Sequence, residues 1–156
     1  MQFILNMKIS SPRFVNLFLC LLPFFAVTNS WGQSDKAIQK VITILNQQAD
    51  DWNNGDIDAF MQAYWQSTDL QFIGSRGVTF GWGQTLKNYK KGYPDKQAMG
   101  LLTFDVIKTD KLSRKTIMMS GKFMLDRKDM ENLEGHFLLI WKKVKKRWVI
   151  IADHTS

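Results

Sequence analysis

The chain has 156 residues, enough for one domain and short for two. Hydrophobic residues make up 45% and charged ones 22%, which excludes a disordered or fibrous chain and leaves ample material for a core. The net charge of +7 comes with no basic repeat interleaved with aromatics, so a nucleic-acid partner is not expected.

Lys8 and Arg13 precede an apolar run from Phe14 to Val27, and the polar segment TNSWGQ follows. This three-part layout is that of a secretory signal peptide. The run is 14 residues long and broken by Pro23, whereas a membrane span needs about 20 residues. The competing reading is an uncleaved anchor. Ser30 and Gly32 place cleavage after Gly32, so 1–32 is read as the signal and 33–156 as one domain. The product is then periplasmic or secreted, without a stable membrane anchor. Cys20, the single cysteine, leaves with the signal. The remainder has no disulfide or thiolate chemistry and depends on its core. It keeps 19 basic residues against 14 acidic ones.

Ile38, Val41, Ile42, Leu45, Ala49 and Trp52 form one stripe of a helix over Ser34 to Asn53. Ser34 suits its N-cap, and Asn53-Asn54-Gly55 its end. Asp56 caps a shorter helix through about Trp65 with Ile57, Phe60, Met61 and Tyr64 inward. Leu70 to Gly74 and Val78 to Phe80 read as short strands. Trp82 to Lys91 is a third helix, ended by Gly92 and Pro94. Four longer strands follow: Leu101 to Thr109, Thr116 to Leu125, His136 to Lys143, and Trp148 to Thr155. The charged loop Asp126 to Glu134 is expected to be mobile. This order predicts an α+β domain. A curved antiparallel sheet, with three helices on its concave face, would enclose a cone-shaped space.

The chemistry concentrates at the end of the chain. Both histidines, His136 and His154, fall in the last hairpin, and Asp153 closes an apolar strand. Facing a cavity, Asp153 would have its pKa raised by desolvation toward a general-base range; facing a backbone donor, it is a structural tie. His154 is a structural hydrogen-bonder or a group at the pocket or dimer face. A two-residue turn at Lys145-Lys146 pairs Val144 with Arg147 and sets Phe137 opposite His154. His136 then shares a face with Asp153, as an acid/base pair, and His154 sits with Trp141, Trp148 and Ile150. A three-residue loop would put the two histidines on one face.

No ligand spacing qualifies as a metal site, and there is no phosphate loop, dinucleotide fingerprint or nucleophile elbow, so no cofactor is expected. Gly74, Gly77, Gly81 and Gly83 read as turn residues. Trp52, Tyr64, Phe72, Trp82, Tyr89 and Trp141 serve as core, or as the lining of a pocket for a small apolar or aromatic molecule. Tyr64, Trp82 and Tyr89 are the strongest of these for the pocket. Lys142, Lys143, Lys145, Lys146 and Arg147 read as a solvated hairpin tip that blocks edge aggregation, the other use being contact with an anionic surface or polymer.

The chain resembles the nuclear transport factor 2-like superfamily, which includes ketosteroid isomerases and SnoaL-like cyclases, and within it the branch called domain of unknown function 4440. The resemblance is carried by ADDWNNGDIDAFMQAYW, by FIGSRGVTFGW with NYKKGYP, and by GHFLLIWKK with RWVIIADHTS. It spans Ser34 to Ser156 and implies an α+β cone, frequent homodimers and a pocket between helices and sheet. It implies no reaction, because the fold hosts enzymes and plain binding domains alike. It also supports the two-residue turn, although relatives place Asn-Gly or Asp-Gly where this chain has Lys145-Lys146. Three functions are therefore expected in order. The first is an exported small-molecule-binding domain. The second is an isomerase- or SnoaL-like enzyme with Asp153 as base and His136 or Tyr64 polarising a carbonyl. The third is an assembly module that dimerises through the outer face of the sheet.

Overall fold

The computed structural model describes residues 31–156, with side chains from Lys36 onward; the expected signal segment through residue 30 lies outside it. Helix α1 spans Trp31–Asn53 and buries Val41, Leu45, Gln48 and Trp52 along one stripe. It begins before Ser34, which therefore lies within the helix instead of capping it. Gly55 follows its end at φ +84°, a conformation that suits glycine.

Helix α2, Ile57–Phe60, is capped as expected: the Asp56 side chain accepts from the Ala59 N–H at 2.8 Å. It tightens into a 3-10 turn at Met61–Ala63 and stops there, short of the expected end at Trp65. Tyr64 is extended (φ −84°, ψ 150°) and forms a parallel bridge with Ile150. The Trp65 N–H donates to the Ile150 carbonyl at 2.9 Å. Pairing with the sheet here overrides local helix propensity.

The next elements are β1 (Gln71–Gly74), β2 (Gly77–Phe80), α3 (Trp82–Gly92) and α4 (Lys96–Met99). The fourth helix, α4, was not expected; Asp95 caps it by accepting from the Ala98 N–H at 2.8 Å. Strands β3 (Leu101–Ser113), β4 (Thr116–Asp126), β5 (Leu133–Val144) and β6 (Arg147–Thr155) complete the chain. The β4–β5 loop carries its own bonds, with the Arg127 N–H donating to Asn132 Oδ1 at 2.8 Å.

The six strands form one open sheet in the order β2-β1-β6-β5-β4-β3. It is mixed, not antiparallel throughout, because β1 runs parallel to β6. The reason is visible upstream: Tyr64 already runs alongside Ile150 in that direction, and β1 continues it to pair Gln71 with Ala152.

The core lies between the helices and one sheet face, built from Ile117, Met119 and Leu125 of β4, Phe137, Leu139 and Trp141 of β5, and Trp148 and Ile150 of β6. Burial of this kind stabilises by about 25 cal/mol per Å² of apolar surface. Gly121 is required here, since a Cβ would collide with the Asp105 carbonyl and the Phe137 ring.

The last hairpin has the expected two-residue turn, with Val144 opposite Arg147 and Lys145 and Lys146 both at positive φ, 45° and 69°. The register then slips. Trp141 lies opposite Ile150, but Ile140 lies opposite Ala152, so Ile151 is the extra residue of a β-bulge. Beyond it Leu139 faces Asp153, Leu138 faces His154 and Phe137 faces Thr155. This overturns the expected faces. Asp153, not His154, joins Trp141 and Ile150 on the core side, while His136 and His154 are both exposed on the outer side.

Candidate functional site

Asp153 is a buried carboxyl, 3% exposed. The Tyr64 hydroxyl donates to its Oδ2 at 2.7 Å, and the Thr155 hydroxyl donates to its Oδ1 at 2.7 Å. The bulge points Asp153 inward, and the early end of α2 lets Tyr64 reach it. Burial raises the Asp153 pKa to about 6, against the lowering effect of the Tyr64 and Thr155 hydrogen bonds and of nearby His154. Burial, and then the neighbouring Asp153, push the Tyr64 phenol well above its ordinary value, and Tyr89 shifts the same way for the same reasons. Near neutral pH the group is therefore an ionised carboxylate held by two hydroxyls, and a modest fall in pH makes it a neutral acid.

Aromatic rings cluster around Tyr64, the phenol that holds this acid. Phe60 lies with its centroid 5.9 Å from Tyr64 and 5.3 Å from Tyr89, and Phe72 lies 5.6 Å from Tyr89. Trp52 sits 5.1 Å from Phe60 and 4.8 Å from Tyr93. The Trp52 indole donates to the Met99 carbonyl at 3.2 Å, and the half-buried Trp82 indole to the Met61 carbonyl at 2.9 Å. Trp141 is fully buried, and its Nε1 has no partner among the described residues. Of the residues singled out from the sequence, Tyr64 and Asp153 are in direct contact, and Trp52, Phe72 and Tyr89 pack around them. His136 cannot reach Asp153 from the opposite face, and His154 is on that same outer face.

Among the described residues, two cavities stand out elsewhere. The larger, about 880 Å³, is a groove between α1, the α2 turn and the tips of the β3–β4 and β5–β6 hairpins. Its volume is within the range of small-molecule sites, roughly 300–1,000 Å³. Ala37, Ile44, Ala59, Ala63 and Trp148 give it apolar walls, and Gln48 lines it as a buried polar group. The smaller, about 480 Å³, lies beside Asp56, Asp58 and Lys90. None of the expected pocket residues lines either cavity. Among the described residues no three His, Cys, Asp or Glu side chains converge as a metal site would require.

Sequence reasoning missed Thr155 and Gln48. Gln48 had a signal: it is a polar residue within the helical stripe that runs through Leu45 and Trp52. The basic hairpin tip is solvent-exposed as expected, but it does not block an edge. Lys143, Lys146 and Arg147 belong to the β5–β6 hairpin, whose strands are both interior to the sheet, so they guard no edge.

No family model matches the chain, and no curated protein matches it. Solved structures do. An NTF-2 like protein of unknown function from Shewanella oneidensis MR-1 is 38% identical, with a TM-score of 0.74, over 77% of this chain and 98% of that one. A nuclear transport factor 2-like superfamily protein from Salmonella enterica serovar Typhimurium LT2 is 18% identical, with a TM-score of 0.63, over 79% and 92% of the two chains. A domain of unknown function with a cystatin-like fold, from Nostoc punctiforme PCC 73102, is 16% identical, with a TM-score of 0.64, over 79% and 76%. The last two share the fold. The Shewanella likeness, at 38% identity over 98% of that protein, shows that this chain belongs to the nuclear transport factor 2-like superfamily.

Proposed function

We propose that the protein is an exported domain that binds a small molecule, with the groove beside α1 as its binding site. The groove itself carries this reading: about 880 Å³, apolar walls and a buried amide at the surface of the cavity. The signal-like N-terminus supports export. The interior offers less room, since Asp153 is buried and both its oxygens already accept hydrogen bonds. Native mass spectrometry of protein purified from its own host tests the reading. A retained molecule that is lost when Ala63→Trp fills the groove supports it. A molecule kept by that variant but lost from Tyr89→Ala would place binding in the interior and overturn it.

A second reading, proton transfer at Asp153, is favoured by one observation: a carboxyl with a pKa of about 6 beside a phenol at 2.7 Å. Tyr64 would then polarise a carbonyl, the part expected of it or of His136. General acid–base help of this kind is worth roughly 10²–10⁴-fold. Exchange of the α-protons of a cyclic ketone for deuterium, catalysed by the wild type and lost in Asp153→Asn, would establish it.

The outer face of the sheet supports the expected homodimer. Phe80 and Leu138 are 61% and 38% exposed there, and large exposed side chains of this kind mark association surfaces when they are contiguous.

A further inference from the structure

We propose that the groove takes a compact di- or trianion, carboxylate or phosphate, that also carries a hydrogen-bond donor; this rests on the groove being the binding site. Three separate parts of the chain bring cations to it: Lys36 and Lys40 from α1, Lys111 and Arg114 from the β3–β4 tip, and Lys143, Lys146 and Arg147 from the β5–β6 tip. None of the seven is in an ion pair among the described residues. Among the described residues the only acid on the lining is Asp51, which accepts from the Gln47 side chain at 2.9 Å. Seven like charges gathered around one cavity repel one another, and an anion bound between them relieves that repulsion.

The second observation is independent of charge. Gln48 lines the groove at 2% exposure. Its Nε2 donates to the Phe60 carbonyl at 3.2 Å, which fixes the amide orientation. Its Oε1 is left buried with no partner among the described residues. A buried acceptor without a donor is costly, by about 1–3 kcal/mol, and a ligand hydroxyl or amine at this wall would satisfy it. Charge alone suits any polyanion. The buried amide favours a small one over a polymer or a lipid surface, which would meet the exposed lysines without reaching Gln48.

The test uses NMR of the full domain, reading the Gln48 side-chain amide and the Trp148 indole, with the backbone amide of Gly77, in the β1–β2 turn at the other end of the sheet, as a distant control. The probes are citrate, tricarballylate (citrate without its hydroxyl), inorganic pyrophosphate, the neutral sugar trehalose, and vesicles of anionic phospholipid. Citrate or pyrophosphate should shift Gln48 and Trp148 and leave Gly77 unchanged. Lys143→Glu with Arg147→Glu should weaken binding about tenfold or more, and added salt should weaken it as well. Citrate should bind about fivefold or more tighter than tricarballylate, a difference that Gln48→Leu erases. Trehalose moving the two reporters while the anions do not would overturn the anion assignment and leave the groove as the binding site. Anions that shift lysine resonances only, or vesicles that bind while small anions are silent, would overturn it too. If neither these probes nor an extract of the host moves Gln48 and Trp148, the binding reading falls with it.

Discussion

Tyr64 and Asp153 are 89 residues apart in the chain and meet at 2.7 Å in the interior. The phenol reaches the acid because residues 64–65 leave the helix to pair with β6. The acid faces the phenol because Ile151 is bulged out of the β5–β6 ladder. Two local irregularities thus produce one contact; burial of the acid raises its pKa, and the contact moderates that rise.

The folded pKa of Asp153 is about 6, above its ordinary 3.8. The folded state therefore binds the proton more tightly than the unfolded chain. The resulting stability is complete below pH 3.8 and is lost as pH rises through 6. From this group alone, stability should fall by about 3 kcal/mol from acid to mildly basic conditions. Urea titrations across that range check it, and Asp153→Asn should remove this component of the slope.

Tyr64→Phe removes a donor that holds the Asp153 pKa down. The carboxyl should then titrate higher than in the wild type, seen by NMR or by its infrared stretch. Above that pKa the variant should lose about 1–3 kcal/mol, the cost of an unsatisfied buried charge partner. An unchanged titration would mean that Tyr64 does not contact the acid in solution.

Lys145 and Lys146 both hold positive φ in the last turn, which costs a side-chain-bearing residue roughly 1–2 kcal/mol each. Asn-Gly accepts these angles. Lys145→Asn with Lys146→Gly should stabilise the domain by about 1–2 kcal/mol, read as a higher urea midpoint with an unchanged m-value. Because Lys146 also lines the groove, the same variant should bind anions more weakly while being more stable.

Phe80 and Leu138 are exposed on the outer sheet face. If the chain pairs through that face, light scattering should give a dimer mass for the wild type and a monomer mass for Leu138→Lys with Phe80→Lys. The monomer should keep its far-ultraviolet circular dichroism, since neither side chain is part of the core.

Most elements were legible in the sequence because apolar residues recur at the helical or strand period. The Ser34 to Asn53 stripe and the long strands needed little else, and the motifs in order pointed to the superfamily. The two-residue turn was legible from its length. What lay beyond Ile150 was not. Parity arguments count residues from the turn, and the bulge in the run IIA has no compositional mark, so His154 and Asp153 were assigned to the wrong faces, while His136, on the unbulged strand, does lie on the face opposite Trp141. Tyr64 fits the helical stripe of α2, and only tertiary pairing with Ile150 shows that it leaves the helix. The groove was illegible for another reason: it is assembled from four stretches distant in sequence, each ordinary on its own.

The extra residue at Ile151 also governs how this chain should be compared with its kin. A relative with a straight final strand would carry the equivalent inward acid one place nearer the turn. Superposed by counting from that turn, the two would show aspartate matched to alanine and look unrelated at this position. Matched instead by the carboxyl that meets a tyrosine, they would agree, with a single-residue gap marking where one backbone kinks and the other does not.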